Sequence, residues 1–211
     1  MLWHLLFLFS FVHPNDHVVL MGDSEAYLLG WEFPEIAKKH GVEFDTVAIP
    51  GSSVIQWATK LHKEWYKIRK LKPTTIFVSL GANDACIGSR VVRNEKPYLE
   101  KFLKRLERTG ATKVFWLGPP KIGVPKSGKS LHPQAISGLD DFANMVSEQT
   151  IYLDARDVDI DMWDDQLHCS RPRYPGQQTL GCKTWANWVW DNVFRYNRYS
   201  TINGWNFYVE W

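Results

Sequence analysis

Ser24 closes the tripeptide Gly22-Asp23-Ser24, and His168 stands three residues after Asp165 in Asp165-Gln166-Leu167-His168. A serine hydroxyl is a weak nucleophile until an imidazole takes its proton, and a carboxylate must hold that imidazole in the productive tautomer. Ser24, His168 and Asp165 supply the three groups. The chemistry they would perform together is attack on an acyl carbonyl. Taken alone, Gly-Asp-Ser is a common turn and Asp-x-x-His a commoner pattern still, so the weight rests on what accompanies them.

Other residues compete for these roles. Asp164 is an alternative to Asp165, and Asp154, Asp157, Asp159 and Asp161 read as a solvated acidic loop. Asp84 reads as a group that hydrogen-bonds its own turn. His4 and His132 have no motif around them and read as surface or packed histidines. A rival motif is also present: Gly123 to Ser130 satisfies G-x-x-x-x-G-K-S, the phosphate loop of nucleotide hydrolases, with Ile151 to Asp154 as a conceivable partner strand. A working phosphate loop follows its strand at once and opens a helix, whereas Pro119 to Ile122 intervene here and Pro133 stands where that helix should be under way.

The elements that must position these residues can be read from the pattern. His17 to Met21 is a short apolar strand running directly into Gly22-Asp23-Ser24. Glu25 to His40 has helical character despite Pro34, and Glu43 to Ile49 is a second strand ending at Pro50-Gly51. Val54 to Leu71 is a long helical stretch closed by Pro73, and Thr75 to Leu80 a buried strand ending at Gly81-Ala82-Asn83-Asp84. Pro97 to Thr109 is an amphipathic helix, Lys113 to Leu117 a fourth strand, Pro133 to Ser147 helical, Thr150 to Leu153 a fifth strand, and Thr184 to Tyr196 a late helix. This alternation predicts an α/β fold, a three-layer α/β/α sandwich around a parallel sheet with right-handed crossovers. Ligands bind such sheets beyond the carboxyl ends of the strands, where the polar blocks fall.

At four ordered places, from about Val18 to the helix containing Trp188, the sequence resembles the SGNH (GDSL-like) hydrolases. Gly22-Asp23-Ser24 matches the first block of that family, Gly51 the second, Gly81-Ala82-Asn83-Asp84 the third and Asp165-Gln166-Leu167-His168 the last; Phe115 to Pro120, Gly181 and Trp185-Ala186 are secondary matches. The resemblance implies a flavodoxin-like five-stranded parallel sheet and an esterase, lipase or carbohydrate deacetylase. It implies Ser24, Asp165 and His168 as catalytic residues, and an oxyanion hole made by the Ser24 and Gly51 backbone N–H groups and the Asn83 side chain. A glycine at 51 would let the backbone approach the substrate, where a Cβ would obstruct it.

Composition bounds the rest. With 211 residues and 45% hydrophobic content the chain suits one domain, 17–211, preceded by an apolar extension, 1–16. The net charge of +2 gives no global field for nucleic acid or an anionic membrane, and the basic run Lys60 to Lys72 reads as a solvated helix face. No cofactor and no metal are expected. Three cysteines without a C-x-x-C pair leave two readings open: three thiols, or a Cys169–Cys182 bridge with Cys86 free. The run Leu5 to Phe9 suits a signal-peptide core but lacks a preceding Lys or Arg and a small-x-small site, which leaves export, membrane association and localisation undecided.

Trp31, Trp57 and Trp65 follow the first two blocks and invite a sugar-stacking or acyl-binding wall, although Trp57 and Trp65 fit a helix core as well. Short loops between blocks favour a small acyl group, such as an acetyl ester on a carbohydrate or cell-wall polymer. The alternative from another class is a non-catalytic carbohydrate-binding or structural module on an esterase fold.

Overall fold

The computed structural model describes residues 12, 15–86, 92, 94–123, 135–171, 180–195, 200–202 and 205–207. Their element order is β1 (His17–Gly22), α1 (Ser24–Leu29), α2 (Phe33–Lys39), β2 (Glu43–Ala48), α3 (Val54–Thr59), α4 (His62–Leu71), β3 (Thr75–Ser79), α5 (Ala82–Cys86), α6 (Lys96–Glu107), β4 (Lys113–Leu117), α7 (Ala135–Ser147), β5 (Ile151–Leu153) and α8 (Gly181–Arg195). A hairpin of β6 (Ser200–Ile202) and β7 (Trp205–Phe207) follows. Strands β1 to β5 form one parallel sheet in the order β2-β1-β3-β4-β5.

Successive side chains of a strand point to opposite faces, and here they divide two cores. Val18, Leu20, Phe77, Phe115 and Leu153 pack with α1, α2 and α8. Val19, Met21, Ile76, Val78 and Trp116 pack with α3, α4, α6 and α7. The expected α/β/α sandwich is therefore present, with β1 and β3 at its centre and nearly or wholly buried. Because β2 lies on one side of β1 and β3 on the other, the topological switch point falls at the carboxyl ends of β1 and β3, the place where such sheets open a crevice.

Two expected helices are each divided. Glu25 to His40 is α1 and α2, with Pro34 in the first turn of α2, where a missing N–H costs nothing; mid-helix it would have broken the ladder. Val54 to Leu71 is α3 and α4, and the turn between them is locked by Trp65, whose indole Nε1–H donates to the Trp57 carbonyl at 2.8 Å. Helix α8 begins at Gly181, three residues before the expected start. A Cβ there would stand 1.8 Å from the Asp161 carbonyl oxygen, so glycine permits a close approach that helix propensity does not reveal.

The amino end of the sheet is tied by charge pairs. Lys113 Nζ lies 2.8 Å from Asp16 Oδ2, the Thr74 hydroxyl donates to Asp16 Oδ1, and His17 Nε2 lies 2.8 Å from Asp45 Oδ2. Val12 is buried in the core shared with α1 and α8. Residues 1–11 and the end of the aromatic tail lie outside the described residues. No helix among the described residues is long and apolar enough to cross a membrane.

Candidate active site

Strand β1 delivers Ser24 to the switch point through a backbone that only glycine tolerates. Gly22 has φ +153°, and a Cβ on it would stand 1.8 Å from the Ser79 carbonyl oxygen of β3. Asp23 then caps α1, its Oδ1 accepting from Glu25 N at 2.9 Å. Ser24 is thus the first residue of α1, where backbone N–H groups have no intrahelical acceptor.

His168 reaches the same place on a tight turn. Asp165 Oδ1 accepts from the backbone N–H of Leu167 at 2.9 Å and of His168 at 3.0 Å, while Gln166 takes φ +54°. Asp165 Oδ2 lies 2.8 Å from His168 Nδ1, and His168 Nε2 lies 2.8 Å from Ser24 Oγ. Of the two neighbouring aspartates, Asp165 is thus the one seated on Nδ1. Partial burial works against its charge, but the Leu167 N–H, the imidazole and the His168 N–H outweigh this and hold its carboxyl below the usual range. The structure pairs Cys169 with Cys182, fastening the residue after His168 to the first turn of α8.

The second and third blocks interlock. Gly51 has φ +76°, and a Cβ there would meet no protein atom within 4 Å. Within the protein, then, glycine is required at 51 by backbone conformation rather than by crowding. Asn83 Nδ2 lies 3.1 Å from the Ser52 carbonyl oxygen and 3.1 Å from Asp23 Oδ2. A side-chain amide has two N–H bonds, so both are engaged in this resting state. Asp84 does not serve its own turn alone: its Oδ1 accepts from Val54 N, 30 positions away, at 2.9 Å, capping the entrance to α3. The loop carrying Gly51 is therefore held on its carboxyl side by Asn83 and Asp84, while on its amino side the Ile49 N–H donates to the Gly22 carbonyl at 2.9 Å.

The site also carries buried acids whose burial the sequence does not reveal. Asp23, Glu25, Asp84 and Glu95 are all almost fully buried. Burial, and then the nearby Asp84 charge, push the Asp23 carboxyl up to about 7. Burial and the Asp23 charge hold Glu25 well above the carboxylate range. Asp84 and Glu95 face each other; burial first, and then the charge and hydrogen bond of Asp84, raise Glu95, which keeps the proton they share. Nothing in the sequence around Glu25 or Glu95 marks them as buried, since a lone Glu is almost always exposed.

Trp57 and Trp65 do not line this site. They are buried, meet edge to face with centroids 5.7 Å apart, and continue through Phe102 and Trp116 to Phe142 as an aromatic core. Trp31 is exposed. The rival phosphate-loop segment lies outside the described residues except for Gly123, whose N–H donates to the Gln166 carbonyl at 3.0 Å. Strand β4 ends at Leu117, so that segment does not follow its strand directly. A cavity of about 330 Å³ opens beside it, lined by Lys121, Ile122, Leu139, Asp140, Asp154, Arg156 and Asp157, and Arg156 is already paired there with Asp154 and Asp140. Among the described residues, one trio of metal-ligating types converges: His17, Glu43 and Asp45, with ligand atoms within 4.8 Å of one another. It lies at the amino end of the sheet, away from Ser24.

Solved structures place this arrangement among known folds. A GDSL-like lipase from Bacteroides thetaiotaomicron superposes with a TM-score of 0.58 at 12% identity, over 88% of this chain and 91% of that one. The chain has the fold of the GDSL-like hydrolases. An acetylxylan esterase from Geobacillus stearothermophilus gives 0.55 at 12% identity over 86% and 95%. An α/β hydrolase from the metagenome of Lake Arreo, Spain, gives 0.59 at 13% over 88% and 98%. No family model and no curated protein matches the sequence. The GDSL-like likeness is thus one of backbone, with the site residues legible only in the four short blocks.

Proposed function

We propose that the protein is a carboxylic ester hydrolase with Ser24 as nucleophile, His168 as general base and acid, and Asp165 as the group that orients the imidazole. The observation that carries this reading is the unbroken chain of contacts from Asp165 Oδ2 through His168 to Ser24 Oγ, each 2.8 Å long. His168 Nε2 takes the hydroxyl proton as Ser24 Oγ bonds to the carbonyl carbon, and the carbonyl oxygen becomes an oxyanion. The Ser24 and Gly51 N–H groups and the Asn83 amide serve that oxyanion. Asn83 joins by giving up one of its two resting contacts. Collapse of the intermediate expels the alcohol, which takes its proton from His168 Nε2, and leaves an acyl group on Ser24. Water, deprotonated by the same nitrogen, then releases the acid and restores the hydroxyl.

Small acyl groups, acetyl above all, on a carbohydrate or cell-wall polymer are the substrate class we favour. The fold is shared with acetylxylan esterases, and the loop carrying Gly51 is short and tied down through Ile49, Ser52 and Val54. Hydrolysis of p-nitrophenyl acetate tests the nucleophile. Ser24→Ala should lower kcat by at least about 10⁴-fold; equal rates in the two proteins would overturn the assignment.

A further inference from the structure

The solvent side of α1 does not end at Ser24. Glu25, Ala26, Leu28 and Leu29 are buried, while Tyr27 is 48% exposed and Trp31 59% exposed. Positions i, i+3 and i+7 share one face of a helix, and the helical path continues to Trp31 through the Gly30 N–H to Ala26 O and Trp31 N–H to Leu28 O bonds. At 1.5 Å per residue, Trp31 stands about 10 Å along the axis from Ser24. Tyr27 lies between them, its ring edge-on to the indole at 6.2 Å.

The other half of the site contributes to the same spot. Arg171, three residues after His168, sets its guanidinium over the Trp31 ring at 5.3 Å from the centroid. Its Nε donates to Glu32 Oε1 at 2.9 Å. The guanidinium covers one face of the indole and the exposure of Trp31 leaves the other to solvent. The result is an aromatic surface with a hydrogen-bonding rim, whose charges are balanced by the Arg171–Glu32 pair.

We infer that Tyr27, Trp31 and Arg171 form a binding subsite for a neutral saccharide ring beside Ser24. A pyranose has the matching shape: a face of C–H groups to lie on an aromatic ring and a rim of hydroxyls to meet the polar groups around it. A long acyl chain would leave that rim unused, and a uronic acid would meet Glu32 as well as Arg171. The position of the subsite rests on the reading of Ser24 as the nucleophile; saccharide binding does not.

Calorimetric titration of the Ser24→Ala protein with xylohexaose and with cellohexaose tests the subsite without turnover. At least one sugar should bind. Adding Trp31→Ala should weaken that binding by about tenfold, while Trp31→Phe keeps it within about threefold. Arg171→Met is a second probe, with a smaller loss in the same direction, and thermal melts confirm that each variant is folded. Absence of binding, unchanged binding on Trp31→Ala, or tighter binding of an oligogalacturonate than of either neutral sugar would overturn the inference. Sugar binding by a protein whose wild type leaves p-nitrophenyl acetate untouched would overturn the esterase reading and leave the subsite standing.

Discussion

The two ends of the central sheet both hold buried or half-buried charge, and they handle it in opposite ways. At the amino end, Asp16 meets Lys113 and His17 meets Asp45, each at 2.8 Å. At the carboxyl end, Asp23, Glu25, Asp84 and Glu95 are buried close enough for each to feel another's charge. There Asp23 and Asp84 accept from backbone N–H groups and the Asn83 amide, and Asp84 faces the Glu95 carboxyl. One end compensates charge with opposite charge. The other buries its acids, which raises their carboxyl pKa values and costs stability as pH rises, but leaves acceptor oxygens to hold a loop in place.

The contrast can be broken or sharpened by substitution. Asp165→Asn should have the largest effect, lowering kcat by about 10⁴-fold, because an amide cannot hold the imidazole in the tautomer that accepts the Ser24 proton. A loss below tenfold in steady-state hydrolysis would remove Asp165 from the mechanism. Asn83→Ala should lower kcat by about 10² to 10³-fold, the loss typical of one oxyanion donor, with a smaller change in KM. At the amino end, Asp16→Asn should cost about 3 kcal/mol in chemical denaturation by removing the carboxylate that faces the nearly buried Lys113 ammonium, while ester hydrolysis keeps its rate. A fall in rate without a fall in stability would erase the distinction between the two ends.

The smallest effect is one of pH. Asp23 titrates at about 7 in the folded chain against 3.8 for an ordinary aspartate, so between those values the folded state binds the extra proton. Stability therefore falls as pH rises through that window. Asp23→Asn, which retains a good helix cap, should flatten the dependence of the melting temperature on pH between 4 and 7. An unchanged slope would show that Asp23 is ionised throughout.

Much of this was legible because strands that end on polar blocks leave a clear trace. The apolar run into Gly22-Asp23-Ser24 gave both β1 and the position of Ser24, and Thr75 to Leu80 did the same for Asn83. The divided helices were harder. Glu25 to His40 read as one helical stretch despite Pro34, because a proline alone does not say whether it sits inside a helix or restarts one, and the α3–α4 turn depends on an indole reaching a carbonyl eight positions back. The acids were invisible for another reason. A buried carboxyl is defined by its neighbours in space, and Glu95, just ahead of α6, meets Asp84 of α5 only once the two helices have packed. Trp31 and Trp57 show the same limit: both follow a catalytic-looking block, and only packing separates the exposed ring from the buried one.

Ser24 and the imidazole that touches it are separated by 144 positions. During synthesis the Ser24 hydroxyl leaves the ribosome long before His168 does, and for most of that interval the nascent chain holds a serine at a strand end with no imidazole beside it. The Cys169–Cys182 link closes later still. On the proposed mechanism, activity is thus acquired only after all five strands of the sheet have been made.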